Sequence, residues 1–319
     1  MPVHPDLDAF LELAELGRLS GATQALHELP VAQARAIFEQ ASGVLDPTPP
    51  GDLQIMSLQL PMADGEALAA RLYRAANAPA NLPVMLYLHG GGYVVGSLDS
   101  HDSICRRLAA SGEFAVFAPA YRRAPEHPFP GPLEDVLAAA NWLAEQGASL
   151  GLDTDRAIFI GDSVGGSLAT VLAIIAAREP QRLKLQPRAQ MLLYPVTDIS
   201  RERDSHQRHG QGYLLETETL RWFYRLYLGE HGTADDWRVS PLRQTDLGGL
   251  APAYLAVAEY DPLHDEGLAY GQALQAQGVA VTQVVAQGLT HDFLRMSGMV
   301  GEVGEIYAGL RDWALARVA

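Results

Sequence analysis

The stretch Gly161-Asp162-Ser163-Val164-Gly165-Gly166-Ser167 limits what this chain can fold into more than any other. It follows the apolar run Ala157-Ile158-Phe159-Ile160 and leads into Leu168-Ala169-Thr170-Val171-Leu172-Ala173, so it reads as strand, abrupt turn, helix. A serine with glycine two positions before and two after it is the pattern of a nucleophile elbow, where the backbone is too crowded for a Cβ at either neighbour. Such a turn pushes Ser163 Oγ out beyond the strand end. It also aims the N–H of Val164, at the positive end of the next helix, toward whatever the serine attacks. A serine hydroxyl is a weak nucleophile at neutral pH, so the elbow predicts a base, an orienting acid and further oxyanion donors elsewhere in the chain.

The surrounding pattern supplies a sheet to carry the elbow. Residues 1 to 50 read as two helices, near Pro5–Leu16 and Pro30–Ser42, closed by the breaker run Asp46-Pro47-Thr48-Pro49-Pro50-Gly51. Leu53–Pro61 and Ala67–Arg74, joined through Asp64-Gly65, predict an antiparallel hairpin. Short apolar runs then alternate with helical segments: strands at Val84–Leu88, Phe114–Pro119, Ala157–Ile160, Ala189–Tyr194, Pro252–Ala258 and Ala280–Ala286, and a last helix near Val303–Ala316. Runs without period-two alternation, separated by helices, predict a parallel sheet covered on both faces. About 55 residues between Pro195 and Leu250 break the alternation and hold one clear helix, Glu216–Leu228, so they read as an insertion. The expected organisation is an N-terminal helical cap segment (1–50) and an α/β catalytic domain (51–319) with a cap insertion at about 196–250.

Composition narrows the partners. Thirty-eight acidic against 23 basic residues give a net charge of −15, which argues against nucleic acid and anionic membrane surfaces and favours a small neutral molecule. The longest apolar stretch, Leu168–Ala177, falls short of the roughly 17 to 25 residues of a membrane span. A single cysteine, Cys105, excludes an intramolecular disulfide and reads as a small buried filler. With no basic segment followed by an apolar core at the N-terminus, a cytoplasmic location is expected.

His89-Gly90-Gly91-Gly92-Tyr93 follows the third strand. Three consecutive glycines carry an entropic cost that close backbone approach would justify, and the N–H groups of Gly91 and Gly92, with that of Val164, are the expected oxyanion hole. Neither phosphate-cradle pattern, G-x-x-x-x-G-K-[ST] or G-x-G-x-x-G, is present. Ten histidines compete for the base. His4 and His27 lie in the N-terminal segment, His206, His209 and His231 in the insertion, His127 in a proline-rich turn and His264 in a helix. His89 reads as orienting its loop. His291 directly follows the last strand and faces the elbow's edge of the sheet. Asp261 ends the preceding strand before Pro262, with Asp265, Glu266 and Asp198 as rivals and a helix N-cap as its alternative role. The chain order Ser163, Asp261, His291 is that of α/β-hydrolases. His206 and His209 are spaced like a ligand pair but lack a third donor, so no metal is expected.

Taken with Tyr121-Arg122-Arg123-Ala124-Pro125-Glu126-His127-Pro128-Phe129-Pro130, Tyr194-Pro195-Val196-Thr197-Asp198, Ser240-Pro241-Leu242 and Asp261-Pro262-Leu263-His264-Asp265-Glu266-Gly267, the chain from about residue 53 onward resembles the bacterial hormone-sensitive-lipase-like esterases. The resemblance implies an α/β-hydrolase fold with an eight-stranded, mostly parallel sheet and a helical cap, hydrolysis of short-to-medium acyl esters, and neither metal nor organic cofactor. It matches Ser163 to the nucleophile, His291 to the base, Asp261 to the acid and Gly91, Gly92 and Val164 to the oxyanion donors. Members of this family are often dimers through a sheet edge, which here would be the strand near residue 280, and the oligomeric state stays open. Two positions depart from its usual pattern: Val164 stands where the family usually has alanine, and Asp292 where it usually has glycine. Tyr93, Tyr213, Trp222 and Phe293 are the expected pocket walls. The triad leaves amide hydrolysis or deacetylation of a metabolite open, and the fold leaves open a non-catalytic small-molecule receptor.

Overall fold

Apolar strands with no polar face need cover on both sides, and the computed structural model, which describes residues 2–230 and 232–319, supplies it. Helices α1 (Pro5–Leu19) and α2 (Val31–Leu45) precede the hairpin of β1 (Leu53–Pro61) and β2 (Ala67–Ala75). Then follow β3 (Leu82–Leu88), α3 (Asp102–Ala109), β4 (Ala115–Pro119), α4 (Gly131–Gln146), β5 (Leu152–Asp162) and α5 (Val164–Arg178). After β6 (Pro187–Leu193) the insertion carries α6 (Asp204–Arg208) and α7 (Thr217–Leu228). The chain closes with β7 (Ala253–Tyr260), α8 (His264–Ala276), β8 (Val281–Thr290) and α9 (Val303–Val318). His231 of the insertion lies outside the described residues.

The eight strands form one sheet in the order β1-β2-β4-β3-β5-β6-β7-β8. β2 pairs antiparallel with β1 and β4, and every pair from β4 through β8 is parallel. All seven residues of β3 are buried, which accounts for its continuous apolar run. On one face α4, α5 and α8 cover the sheet through residues such as Leu133, Leu168, Ile174 and Leu274. On the other, α3 and α9 cover it through Ile104, Cys105, Leu310 and Ala314. Several elements run longer than their sequence signals. β8 continues past Gly288 to Thr290, and α1 runs three residues past Leu16.

Register sets the functional edge. Leu88 pairs with Gly161, so the glycine loop after β3 and the elbow after β5 start level. Tyr260 pairs with Thr290, so the next residues, Asp261 and His291, leave adjacent strands side by side. A parallel sheet thus gathers four loops, distant in sequence, at its carboxyl edge.

Candidate active site

Ser163 occupies the elbow with φ 54° and ψ −122°, outside the regions a side-chain-bearing residue normally adopts. Two bonds fix that strain in place: its N–H donates to Leu193 O at 2.8 Å, and its carbonyl accepts from Val196 at 3.2 Å. Gly165 is required there, because a Cβ on it would stand 1.9 Å from Leu88 O. Ser163 Oγ lies 3.0 Å from His291 Nε2, and His291 Nδ1 lies 2.7 Å from Asp261 Oδ2. With Nδ1 facing a carboxylate it carries the ring proton, leaving Nε2 to accept from the serine hydroxyl. The structure therefore brings Ser163, His291 and Asp261 into one hydrogen-bonded line.

Asp261 also does what its alternative reading called for in part. Its Oδ1 accepts from Leu263 N–H at 2.8 Å, holding the turn into α8, although the N-cap position itself belongs to Leu263. The carboxylate is thereby fixed at both oxygens. Its rivals are engaged elsewhere: Asp265 with Arg208 and Ser205, Glu266 with the N–H groups of Thr197 and Asp198, and Asp198 with Ser200 and Arg203.

Burial alone would lower the pKa of the His291 imidazole. The Asp261 carboxylate outweighs it by charge and hydrogen bond, with help from Asp292 and Asp162, and the net shift is upward. Asp292 Oδ1 stands 3.8 Å from His291 Nε2, on the ring's reactive side. Its φ of 65° is the left-handed conformation that glycine adopts freely and that aspartate tolerates better than most residues.

The glycine loop meets the elbow through Asp162. This buried carboxylate accepts from Gly90 N–H at 3.0 Å and from the Tyr87 hydroxyl at 2.5 Å, while His101 Nε2 faces its other oxygen at 3.4 Å. Burial works to raise its pKa, but the His101 ring and the Tyr87 hydroxyl prevail and hold it below the usual carboxylate range. His89 packs flat against Tyr121 and its Nδ1 donates to Gly90 O at 2.8 Å. Burial pushes its pKa down to about 3, so it is neutral near pH 7 and its role is to hold the loop. Among the described residues, the N–H groups of Gly91, Gly92 and Val164 donate no hydrogen bond. All three residues line the same cavity as Ser163 and His291. Gly91 has φ 110°, and a Cβ there would meet Val95 O at 2.5 Å.

That cavity, about 560 Å³, is walled by α1, α2 and the insertion. Its sides are apolar, with Phe10, Phe38, Leu215, Leu220 and Phe223 prominent. Tyr93, Tyr213, Trp222 and Phe293 are not on its wall, which corrects the expectation drawn from the sequence. Tyr93 stacks on Tyr227 beneath the loop at 3.6 Å, Tyr213 stacks on Tyr260, Trp222 is buried in the core beside Phe223, and Phe293 packs edge-on to Tyr194. In each case a chain neighbour reaches the cavity instead: Gly92, Leu214, Phe223 and Asp292. On α7 one residue is a turn of 100°, enough to move a ring from core to cavity.

Sequence reasoning also passed over the Asp162–His101–Tyr87 clamp and Arg295. Asp162 occupied a variable position of the elbow pattern, and His101, the N-cap residue of α3, is the one histidine of the ten to which the sequence assigned no place. Arg295 is 3% exposed; its Nη1 donates to Asp292 Oδ2 at 3.0 Å and its Nη2 to Phe38 O and Ser42 Oγ. Cys105 is buried in α3, as a filler would be. Of the paired histidines, His206 Nδ1 accepts from Arg203 N–H, and His209 packs edge-on to Tyr213 and Tyr260. No helix among the described residues is long and apolar enough to cross a membrane.

A serine hydroxyl, an imidazole held by a carboxylate and three unengaged N–H groups around one cavity form the arrangement of an acyl-transfer hydrolase on a doubly covered α/β sheet. The family sequence model described as alpha/beta hydrolase fold matches residues 85–295. The chain belongs to this family, within its hormone-sensitive-lipase-like esterase branch. It is 46% identical over 307 residues to a Pseudomonas putida protein named ethyl acetate hydrolase, covering 96% of both chains. It is 38% identical over 288 residues to carboxylic ester hydrolase LipN of Mycobacterium tuberculosis, covering 88% of this chain and 74% of that one. A solved thermostable esterase from Pseudomonas putida superposes with a TM-score of 0.91 at 31% identity, covering 100% of this chain and 98% of the other.

Proposed function

We propose that this protein is a serine carboxylesterase that cleaves short-to-medium acyl esters through an acyl-enzyme. The observation that carries the reading is the continuous line Ser163 Oγ, His291 Nε2, His291 Nδ1, Asp261 Oδ2, with contacts of 3.0 and 2.7 Å. His291 takes the serine proton as Oγ attacks the ester carbonyl. The oxyanion is held by the N–H groups of Gly91, Gly92 and Val164. His291 returns the proton to the departing alcohol, and water repeats the sequence on the acyl-enzyme. Asp261 fixes the imidazole tautomer and stabilises the imidazolium.

Ester rather than amide hydrolysis is favoured by the relatives, which are named ethyl acetate hydrolase and carboxylic ester hydrolase. A receptor role has no support from them. In this reading α1, α2 and the insertion act as a cap over the cavity. A cytoplasmic location without nucleic-acid partners is supported by one buried cysteine and a net charge of −15. A homodimer through the edge strand β8 is part of the same reading. The test is hydrolysis of p-nitrophenyl esters of graded chain length beside the matching anilides, with Ser163→Ala as control. Serine-dependent turnover of short esters, far above that of anilides, is expected; preference for the anilides, or turnover that survives Ser163→Ala, would refute the proposal.

A further inference from the structure

We infer that Asp292 selects the alcohol half of the substrate: its Oδ1 receives a hydrogen bond from a hydroxyl on the carbon next to the ester-bearing one, which makes monoesters of vicinal diols and polyols the preferred class. The inference rests on the carboxylesterase reading and narrows it.

The two carboxylate oxygens of Asp292 are unequal. Oδ2 accepts from Arg295 Nη1 at 3.0 Å. The arginine is itself immobilised, with Nη2 on Phe38 O at 3.2 Å and on Ser42 Oγ at 2.6 Å, and with its guanidinium 4.0 Å above the Phe38 ring. Oδ1 accepts no hydrogen bond from a described residue and stands 3.8 Å from His291 Nε2. Asp292 lies on the cavity wall with Ser163 and His291, where the other walls are largely apolar. The result is an oriented, unengaged anionic acceptor beside the catalytic imidazole.

Its position decides which part of the ester it meets. The alcohol oxygen must come within about 2.6 to 3.2 Å of His291 Nε2 to receive its proton. Oδ1 neighbours that same nitrogen, so it lies next to the alcohol. A hydroxyl one carbon further along the alcohol can donate to Oδ1. An alkyl chain leaves the acceptor dehydrated and unpaired, and an anionic substituent is repelled. Discrimination by a hydrogen bond to a charged group is larger than a hydrophobic pocket gives for a methylene. The left-handed backbone at residue 292 points the same way: it would suit glycine, yet here it carries a side chain that an arginine holds toward the reacting atoms.

The experiment compares hydroxyethyl acetate with propyl acetate, near-isosteric esters that differ in the terminal group, on wild-type enzyme and on the Asp292→Gly and Asp292→Asn variants. The readout is the ratio of their kcat/KM values on the pH plateau. Both esters use the same His291, so any change in the base cancels. The wild-type ratio is expected to favour hydroxyethyl acetate by about tenfold to a hundredfold. It should fall to near one in Asp292→Gly and lie between in Asp292→Asn, whose amide oxygen turns to Arg295 and leaves a neutral NH2 that a substrate hydroxyl can only accept from. Both glycine and asparagine tolerate positive φ, so the loop is preserved. A wild-type ratio near one, or a ratio unmoved by Asp292→Gly, overturns the inference while leaving the esterase reading intact. Absence of Ser163-dependent turnover of either ester would instead sink the reading on which it rests.

Discussion

His291 must be neutral at Nε2 to accept a proton, so the acid side of the rate profile reports the pH at which its imidazolium loses one. Burial disfavours that charge, but Asp261, Asp292 and Asp162 together favour it and the folded value is raised. Activity should accordingly rise through a limb above the ordinary histidine range. Asp292→Gly removes one of the anions that stabilise the imidazolium, so the limb of kcat/KM should move to lower pH; a limb that stays put would show that Asp292 does not act on the imidazole. Val164 poses a different single-residue question. Its N–H is free for the oxyanion, while its side chain is buried on the cavity wall beside Ser163. Val164→Ala should therefore widen the acyl site and raise kcat/KM for longer acyl chains relative to acetate, by on the order of tenfold. An unchanged chain-length profile would show that another residue sets the limit.

Between elements, the least expected feature is Glu266. It lies in α8, is fully buried, and its Oε1 accepts from Thr197 N–H at 2.6 Å and Asp198 N–H at 3.2 Å, tying the helix to the segment after β6. Burial, aided by the Asp198 charge, pushes its pKa up to about 8 against those two hydrogen bonds. Between the ordinary carboxyl range and about pH 8 the folded protein holds a proton that the unfolded chain has released, so the Glu266 contribution to stability falls as pH rises across that window. Glu266→Gln keeps a neutral acceptor at every pH. Its melting temperature relative to wild type should climb as the pH is raised from about 5 to about 8, and a difference independent of pH would contradict the assignment.

The elbow, the glycine loop, Asp261 and His291 were legible because each sits immediately beyond a strand, and a parallel sheet delivers all its strand ends to one edge. The cavity wall was not. Phe38 comes from α2 and Phe223 from α7, and their meeting depends on how two irregular segments pack, which no local periodicity encodes. Even where the right segment was chosen, the side chain facing the cavity was one residue away, because helix rotation and loop geometry decide direction.

At the scale of the whole molecule, the sheet has two edges, β1 and β8. β8 carries Val284, one of the few large apolar side chains left exposed on the sheet. Size-exclusion chromatography with light scattering should give about twice the 34.4 kDa chain mass, and Val284→Arg should return it to the monomer. A monomeric wild type would remove the dimer from the proposal without touching the site. The large negative charge bears on solubility and partner choice, and leaves a short neutral ester free to approach an apolar cavity.

In the proposed mechanism Ser163 carries the acyl group. Purified enzyme mixed with excess p-nitrophenyl acetate, quenched rapidly in acid and digested, should yield the peptide containing Ser163 with one acetyl group attached. Ser163→Ala should show none and lose about 10⁴ to 10⁶-fold in kcat. An acetyl group on a different residue, or full turnover in the Ser163→Ala enzyme, would contradict the mechanism.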